Sequence, residues 1–306
     1  MGFLWQQYIR PASLVEALQA LCSASGPACP IAGGTDLILD LRQGRRLPVH
    51  TLVDVSGIPE LIALEERGAE IFIGAAVPHN RIINSPLVYQ YARALAEACD
   101  LIGGPQVRNV ATLGGNVAHA LPAADGAIAL LALDAFAVVA SLDSIQSTQA
   151  LTTSQTRDVI MTRVPLLNLY LGPGKTALKT GQLLVGFYLP LAARGQGSAF
   201  TRVMRAQGVA LPVLNLAVGL RREQTIITDL RIAIGPAGPI PLRAHAAEAV
   251  LRGRPLTSES MAESETALLA ETHFRTSPQR ATAGYRQHLA GKLLAEALYT
   301  AWERAV

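Results

Sequence analysis

Two short segments, each centred on a pair of adjacent glycines, constrain this chain more than any other feature. The first is Ile31-Ala32-Gly33-Gly34-Thr35-Asp36-Leu37, and the second runs from Arg108 to Asp125 around Gly114 and Gly115. A glycine leaves its backbone N–H uncovered and permits positive φ, so successive amides can converge on one anion. Each segment is therefore a candidate phosphate-binding turn. Two such turns can hold the two halves of one pyrophosphate.

The residues around the first turn predict a strand before it and a helix after it. Cys29–Ala32 is extended in character, and apolar residues recur at helical spacing from Leu37 onward, with Thr35 or Asp36 placed to cap that helix. The second pair is likewise expected between a strand and a helix. A helix N-terminus favours an anion, because its first N–H groups lack partners. Paired glycines also form tight turns that bind nothing, so the turns alone leave both interpretations open.

Other sites for nucleotides and metals are not supported. No G-x-G-x-x-G occurs, which argues against a Rossmann dinucleotide site, and Gly174-Lys175-Thr176 lacks the earlier glycine of a P-loop because residue 169 is leucine. Neither the six histidines nor the three cysteines have metal-binding spacing. We predict no metal site and no catalytic residue, with free thiols in a reducing cytosol.

Composition limits the partners. A length of 306 residues favours two domains, and a charged fraction of 16%, below the usual ~25%, suggests that partner subunits cover part of the surface. The net charge of +3 without a lysine/arginine block argues against nucleic acid. No apolar run reaches ~18 residues and no charged-then-apolar leader opens the chain, so we expect a cytoplasmic protein without a membrane span.

The remaining patterns indicate an α+β protein. Residues 1–57 are typical of a short α/β unit, residues 58 to about 190 of a second lobe, and the part after 194 of three strands followed by helices on a sheet. The polar run from Asp143 to Thr162 is interpreted as a surface loop whose role the sequence does not show. The elements expected are strands at 51–55, 71–75, 136–142, 183–189, 200–204, 213–220 and 225–235, with helices at 14–21, 88–98, 127–135, 243–252, 258–271 and 283–306.

Three side chains near the glycine pairs have simple alternatives to ligand binding. Asp125 is placed either to cap the helix after it or to accept hydrogen bonds from the hydroxyls of a nucleotide. Asp36 is the more plausible helix cap, since a carboxylate beside a pyrophosphate is repelled. We expect His119 to be an ordinary hydrogen-bonded histidine.

The segments Ala32–Leu37 and Arg108–Asn116 together resemble the FAD-binding subunit of molybdenum hydroxylases, the xanthine dehydrogenase and carbon monoxide dehydrogenase group. Further stretches resemble the same family, and with them the resemblance spans nearly the whole chain. They are Pro122–Asp125, Ala129–Ala135, Gly172–Leu178, Ile234–Ala237, Arg243-Ala244 and Tyr285-Arg286.

The resemblance implies a two-lobed FAD-binding domain of the PCMH or vanillyl-alcohol-oxidase type at residues 1–192, with lobes at about 1–57 and 58–192. An α+β domain like the carbon monoxide dehydrogenase flavoprotein C-terminal domain follows at 196–306. The positions that would hold FAD are Ile31, Ala32, Gly33, Gly34, Thr35, Asp36, Leu37, Ile73, Thr112, Gly114, Gly115, Asn116, Asp125, Leu184 and Arg202.

Three features qualify this transfer. Thr35 occupies the place where covalently flavinylated relatives of the wider superfamily often carry histidine, so the FAD is expected to be noncovalent. The run from Asp143 to Thr162 is longer than the connection usual in the family. Thr201 and Arg202 stand where a lysine-bearing segment is common.

The function implied is electron transfer. Molybdopterin in one partner subunit would reduce [2Fe–2S] centres in a second, and FAD in this chain would pass the electrons to NAD⁺, oxygen or a quinone. Two alternatives stay open: a free-standing reductase resembling UDP-N-acetylenolpyruvoylglucosamine reductase, and a scaffold subunit that has lost its flavin. The substrate, the electron acceptor and the stoichiometry of the complex are not determined by the sequence.

Overall fold

The computed structural model of the chain describes residues 3–143, 158–205 and 211–306. Its strands are β1 (Trp5–Ile9), β2 (Ala28–Ile31), β3 (Val49–Asp54), β4 (Leu64–Arg67), β5 (Glu70–Gly74), β6 (Phe136–Leu142), β7 (Val159–Pro165), β8 (Tyr170–Gly172), β9 (Lys175–Thr176), β10 (Leu183–Pro190), β11 (Gln196–Met204), β12 (Pro212–Glu223), β13 (Ile226–Gly235) and β14 (Leu242–Arg243).

The helices lie between and after these strands. They are α1 (Leu14–Ser23), α2 (Leu37–Arg42), α3 (Pro59–Ile62), α4 (His79–Ile83), α5 (Pro86–Tyr91), α6 (Arg93–Asp100), α7 (Pro105–Arg108), α8 (Leu113–Ala118), α9 (Asp125–Ala132), α10 (His245–Leu251), α11 (Ser258–Glu271) and α12 (Ala283–Arg304), with a 3-10 turn at Leu166–Leu169.

The first sheet is parallel and has the strand order β1-β3-β2. Helix α1 connects β1 to β2, and it begins at Ser13, whose hydroxyl accepts a hydrogen bond from the amide of Glu16. Its buried face is the one predicted from the spacing of Leu14, Ala17, Leu18 and Leu21. The first glycine pair follows directly after β2 in the chain.

The second sheet is antiparallel, with the order β4-β5-β10-β6-β7. Strand β7 pairs with β6 along its whole length, from Leu142 opposite Val159 to Phe136 opposite Pro165. The prediction that the chain from Asp143 to Thr162 is a surface loop is therefore wrong for residues 159–162. Residues 144–157 of that run lie outside the described residues.

The third sheet, β11-β12-β13-β14, is antiparallel and carries α12 on one face and α6 with α9 on the other. The stripe predicted on α12 is buried at Leu289, Leu293, Leu294, Ala297 and Leu298. Tyr285, which was placed on the same stripe, is instead 48% exposed.

Helix α9 links the second and third sheets. All eight of its residues are buried. Residues 127–132 of α9 belong to one hydrophobic cluster with Ile73 and Phe187 from the second sheet and with Phe200, Ala217 and Ala233 from the third. A continuous core thus joins the two sheets, and the N-terminus of α9 lies at their junction.

Several boundaries differ from the sequence predictions for local reasons. The helix expected at 88–98 is two helices, because the backbone breaks at Ala92 with φ −138°. The hairpin between β12 and β13 turns at Gln224, which has φ 55°. Edge strands β1 and β4 were not predicted.

No helix in the described ranges is both long and apolar enough to cross a membrane.

Candidate cofactor site

The first glycine loop, residues 32–36, is shaped by close backbone packing. A Cβ on Gly33 would lie 2.1 Å from the carbonyl oxygen of Val110 and 2.9 Å from Cα of Ala111, so only glycine permits this approach. Gly34 follows with φ +67°. The two predicted glycine segments therefore lie against each other, although about 80 residues of chain separate them.

The amides of this loop are available to a ligand. Among the hydrogen bonds of the described residues, no backbone N–H of residues 33–36 donates to protein. Thr35 is partly exposed, and Ile31 is buried at the end of β2. Ala32 packs against the core cluster around α1, and Leu37, the first residue of α2, packs against the small cluster around Ile31. A partly open loop with unsatisfied donors suits an anion.

The prediction that the Asp36 side chain caps helix α2 is wrong. Helix α2 begins without a side-chain cap, and Asp36 instead faces His119, with 3.5 Å between Oδ2 and Nδ1. His119 Nε2 lies 3.6 Å from Oδ2 of Asp40 on α2. The hydrogen bond that the His119 ring donates to the Asp36 carboxylate raises the pKa of His119 and lowers the pKa of Asp36. His119 therefore ties the end of α8 to the first loop.

The second glycine pair has a different role from the first. Gly114 and Gly115 lie in the first turn of α8, not in a turn between a strand and a helix. The amide of Gly114 donates to the carbonyl of Ala75 at 2.8 Å, and a Cβ on Gly114 would lie 2.5 Å from Cβ of Ala75. Gly115 donates to the hydroxyl of Thr112, which caps α8. These glycines serve helix packing and capping, and their amides are already bonded.

Asn116, next to the second glycine pair, carries a polar group that has no protein partner among the described residues. Its Oδ1 is buried and has no hydrogen-bond partner among the described residues, and it lies 2.8 Å from where a Cβ on Gly126 would be. Rotating the amide by 180° presents its nitrogen at the same place. An unsatisfied amide group next to the N-terminus of α9 fits a polar ligand.

Asp125 and Arg202 form a buried ion pair with 2.6 Å between Oδ2 and the guanidinium. Asn215, opposite Arg202 in the β11–β12 register, donates to Oδ1 of Asp125 at 2.6 Å. Burial raises the pKa of Asp125, and the positive charge of Arg202 opposes that shift. Asp125 does not cap α9, since the capping position is Ala124 and no side-chain cap forms.

Ile73 and Leu184 lie in the core. They sit on neighbouring strands β5 and β10 and belong to the same hydrophobic cluster as Leu113 and Val117 of α8. The register of the β6–β10 pairing shifts between Leu184 and Gly186. Both residues thus support the second glycine segment from behind.

One further polar residue at this site was not predicted. His79 is 1% exposed, its amide donates to the carbonyl of Ala111, and its Nδ1 has no hydrogen-bond partner among the described residues. Burial, aided by the charge of Arg108 and opposed by that of Asp36, lowers the pKa of His79 to about 4. A histidine after a proline carries no motif, so no sequence signal marked it.

Comparison with known proteins decides the family. Residues 4–192 match the family described as the FAD binding domain in molybdopterin dehydrogenase, and residues 198–301 match the CO dehydrogenase flavoprotein C-terminal domain. The chain belongs to the FAD-binding subunits of the molybdenum hydroxylases. The resemblance and the fold class inferred from the sequence are confirmed.

Relatives of this FAD-binding subunit share nearly its full length. The carbon monoxide dehydrogenase medium chain of Hydrogenophaga pseudoflava is 30% identical over 97% of both chains. The nicotine 6-hydroxylase medium subunit of Paenarthrobacter nicotinovorans is 31% identical over 97% of this chain and 98% of the relative. A solved carbon monoxide dehydrogenase from H. pseudoflava superposes with a TM-score of 0.86 at 30% identity, covering 98% of each chain.

Proposed function

We propose that this FAD-binding subunit transfers electrons from [2Fe–2S] centres of a partner subunit to NAD⁺ or another acceptor. One observation supports this most directly: the amides of residues 33–36 have no acceptor among the described residues, and Gly33 packs against Val110 and Ala111 of the second glycine segment. Such donors fit the pyrophosphate of FAD, because each charge-assisted N–H bond contributes about 1.5–3 kcal/mol. Bound FAD can take electrons singly and deliver a hydride.

The residues of the chain divide the binding work. Gly33, Gly34 and Thr35 offer backbone donors to the phosphates, and Asn116 offers its side-chain amide. The Thr112 hydroxyl accepts from Gly115 and keeps its own proton to donate. Asp125, fixed by Arg202 and Asn215, is the group we assign to the part of the cofactor beyond the phosphates.

Hydrophobic packing would keep the site rigid and dry. Ile73 and Leu184 are 0% and 5% exposed and lie behind α8, where they hold its capped first turn in place. The neutral ring of His79 adds no charge behind Ala111. We propose that these residues act on the cofactor through the elements that they position.

The partners and domain division are part of the proposal. We infer an iron–sulfur subunit and a molybdopterin-binding subunit, because the relatives are named as medium chains or FAD-binding subunits. We also retain domains at 1–192 and 196–306, with lobes at 1–57 and 58–192, since each main sheet falls within one of these ranges. Free cysteines at 22, 29 and 99 support a cytoplasmic location.

A spectrum of the purified chain tests cofactor binding. We expect a yellow protein whose flavin is released by acid, as a noncovalent cofactor would be. A colourless chain that does not bind added FAD would contradict the proposal and favour a scaffold role.

Co-purification tests the electron-transfer role. The native complex should contain partners with molybdopterin and iron–sulfur motifs, and its substrate should bleach the flavin absorbance under anaerobic conditions. Gly115→Glu places a charge at an exposed position beside Thr112; it should remove flavin while the complex still assembles. A partner-free chain that turns over a small substrate would instead support the free-standing reductase.

A further inference from the structure

Four arginines meet around the loop between α11 and α12. Arg275 and Arg280 belong to the loop, Arg286 lies in the first turn of α12, and Arg205 directly follows β11. We call these four residues the arginine cluster. None of them belongs to the cofactor site described above.

Two hydrogen bonds draw the cluster together. The Arg286 guanidinium donates to the carbonyl of Arg275 at 3.0 Å, and Nε of Arg205 donates to the carbonyl of Arg280 at 3.2 Å. The loop itself is closed by the amide of Ser277, which donates to the carbonyl of Ala281 at 2.9 Å. Arg205 and Arg286 are therefore both bonded to the loop that carries Arg275 and Arg280, and the acceptors are backbone carbonyls, not carboxylates.

The cluster lacks a counter-charge. None of its four side chains forms an ion pair with a carboxylate among the described residues, and the undescribed segments 144–157 and 206–210 contain no aspartate or glutamate. Burial and the neighbouring guanidinium groups lower the pKa of both Arg280 and Arg286. Several like charges held together without compensation are unfavourable unless an anion joins them.

The arrangement runs from exposed to buried. Arg205 and Arg275 are exposed, Arg280 is partly buried, and Arg286 is 2% exposed. Nε of Arg286 is buried and has no hydrogen-bond partner among the described residues. Helix α12 is 22 residues long, and the positive end of its dipole adds to the field at the same place. The cluster thus combines exposed guanidinium groups with one buried donor that has no protein partner among the described residues.

We propose that the arginine cluster binds a phosphoryl anion carrying two or more negative charges, such as a pyrophosphate group. Guanidinium groups bind phosphate oxygens through paired donors, and several of them match a multiply charged anion better than a single carboxylate. Arg205 lies three residues beyond Arg202, about 10 Å at roughly 3.3 Å per residue. A phosphate-bearing electron acceptor held here would lie beside the cofactor site, but the binding itself does not depend on the proposed function.

Isothermal titration of the full-length purified chain tests this site. The probes are inorganic phosphate, pyrophosphate and ADP-ribose, each at the same ionic strength in chloride. The double variant Arg275→Gln/Arg280→Gln changes one exposed and one partly buried member, so that folding does not depend on the fully buried Arg286. Arg194→Gln, an exposed arginine near the C-terminal end of α12, is the matched control.

We expect pyrophosphate to bind at least tenfold more weakly to the double variant than to the wild type and the control. Binding of ADP-ribose as well would indicate a dinucleotide as the source of the phosphates, and binding of phosphate and pyrophosphate alone would indicate free inorganic anions. Equal affinity for wild type and double variant would overturn the proposal, because the anion would then occupy the glycine loop. Absence of saturable binding of all three probes would overturn it too.

Discussion

Asp125 and Arg202 are 77 residues apart in the chain, yet their side chains meet at 2.6 Å and are each 5% exposed. Asp125 opens α9, whereas Arg202 lies on β11 of the third sheet. Asn215, on the neighbouring strand, completes the group. The carboxylate assigned to the cofactor is thus positioned by the C-terminal part of the chain, which couples cofactor binding to the packing of the third sheet.

Removing one member of this pair should be costly. In Arg202→Gln the buried Asp125 carboxylate loses its charged partner, and we expect the free energy of unfolding in urea to fall by about 3 kcal/mol. Arg254→Gln, which breaks an exposed pair with Glu263, serves as the control and should change stability little. Equal losses in the free energy of unfolding would show that the buried pair stabilises the fold no more than the exposed pair does.

Gly33→Ala should disrupt the contact between the two glycine segments. The added methyl would lie 2.1 Å from the carbonyl oxygen of Val110, so the first loop must move away. We expect the ratio of flavin to protein absorbance after purification to fall at least tenfold. The control is Gly284→Ala, because a Cβ there meets nothing within 4 Å and alanine favours a helix. Full flavin content in Gly33→Ala would refute the assigned role of this loop.

The contact of His119 with Asp36 predicts a pH dependence. The folded pKa of His119 is raised above 6.5, so the folded state binds the proton more tightly than the unfolded state. The stabilisation is complete below pH 6.5 and is lost as the pH rises through the raised pKa. Urea unfolding of wild type and His119→Gln from pH 5 to 9 should show a stability difference that shrinks with increasing pH.

A double variant isolates this contact. When Asp36→Asn is present, replacing His119 by glutamine should cause a smaller pH-dependent difference, since the hydrogen bond to a carboxylate that raises the pKa of His119 is gone. An unchanged pH profile in the Asp36→Asn background would assign the effect to another group.

His79 predicts the opposite pH dependence. Its folded pKa of about 4 lies below the unfolded value of 6.5, so the unfolded state binds more protons between these limits. Stability should fall as the pH drops from 6.5 to 4, by about 3 kcal/mol at one pKa unit per 1.36 kcal/mol. The His79→Gln variant should lose less stability over the same window, measured by urea unfolding.

Nuclear magnetic resonance of histidine-labelled protein provides a direct check. The ring signals assigned to His79 should keep neutral chemical shifts down to pH 5. Titration of that ring near pH 6.5 would show that burial does not control it.

The sequence by itself indicated the family, most of the long helices and strands, and the position of the first glycine loop. The helices follow from a local rule, because apolar spacing predicted α1 and most of α12. Only glycine fits where a backbone passes as closely as Val110 passes Gly33. The resemblance then connected the glycine segments to FAD. Element boundaries were less certain, as the break at Ala92 shows, because no sequence signal there interrupts the helical pattern.

The tertiary structure alone decided which polar groups are free and which are used. The amides of Gly114 and Gly115 are bonded to Ala75 and Thr112, contacts made by α8 packing on the sheet that no local pattern reveals. Asp125 turned out to be an ion-pair partner and not a helix cap, since Arg202 reaches it only after the second and third sheets close around α9. Hydrogen-bond partners distant in the chain depend on packing, and therefore only the folded chain assigns them.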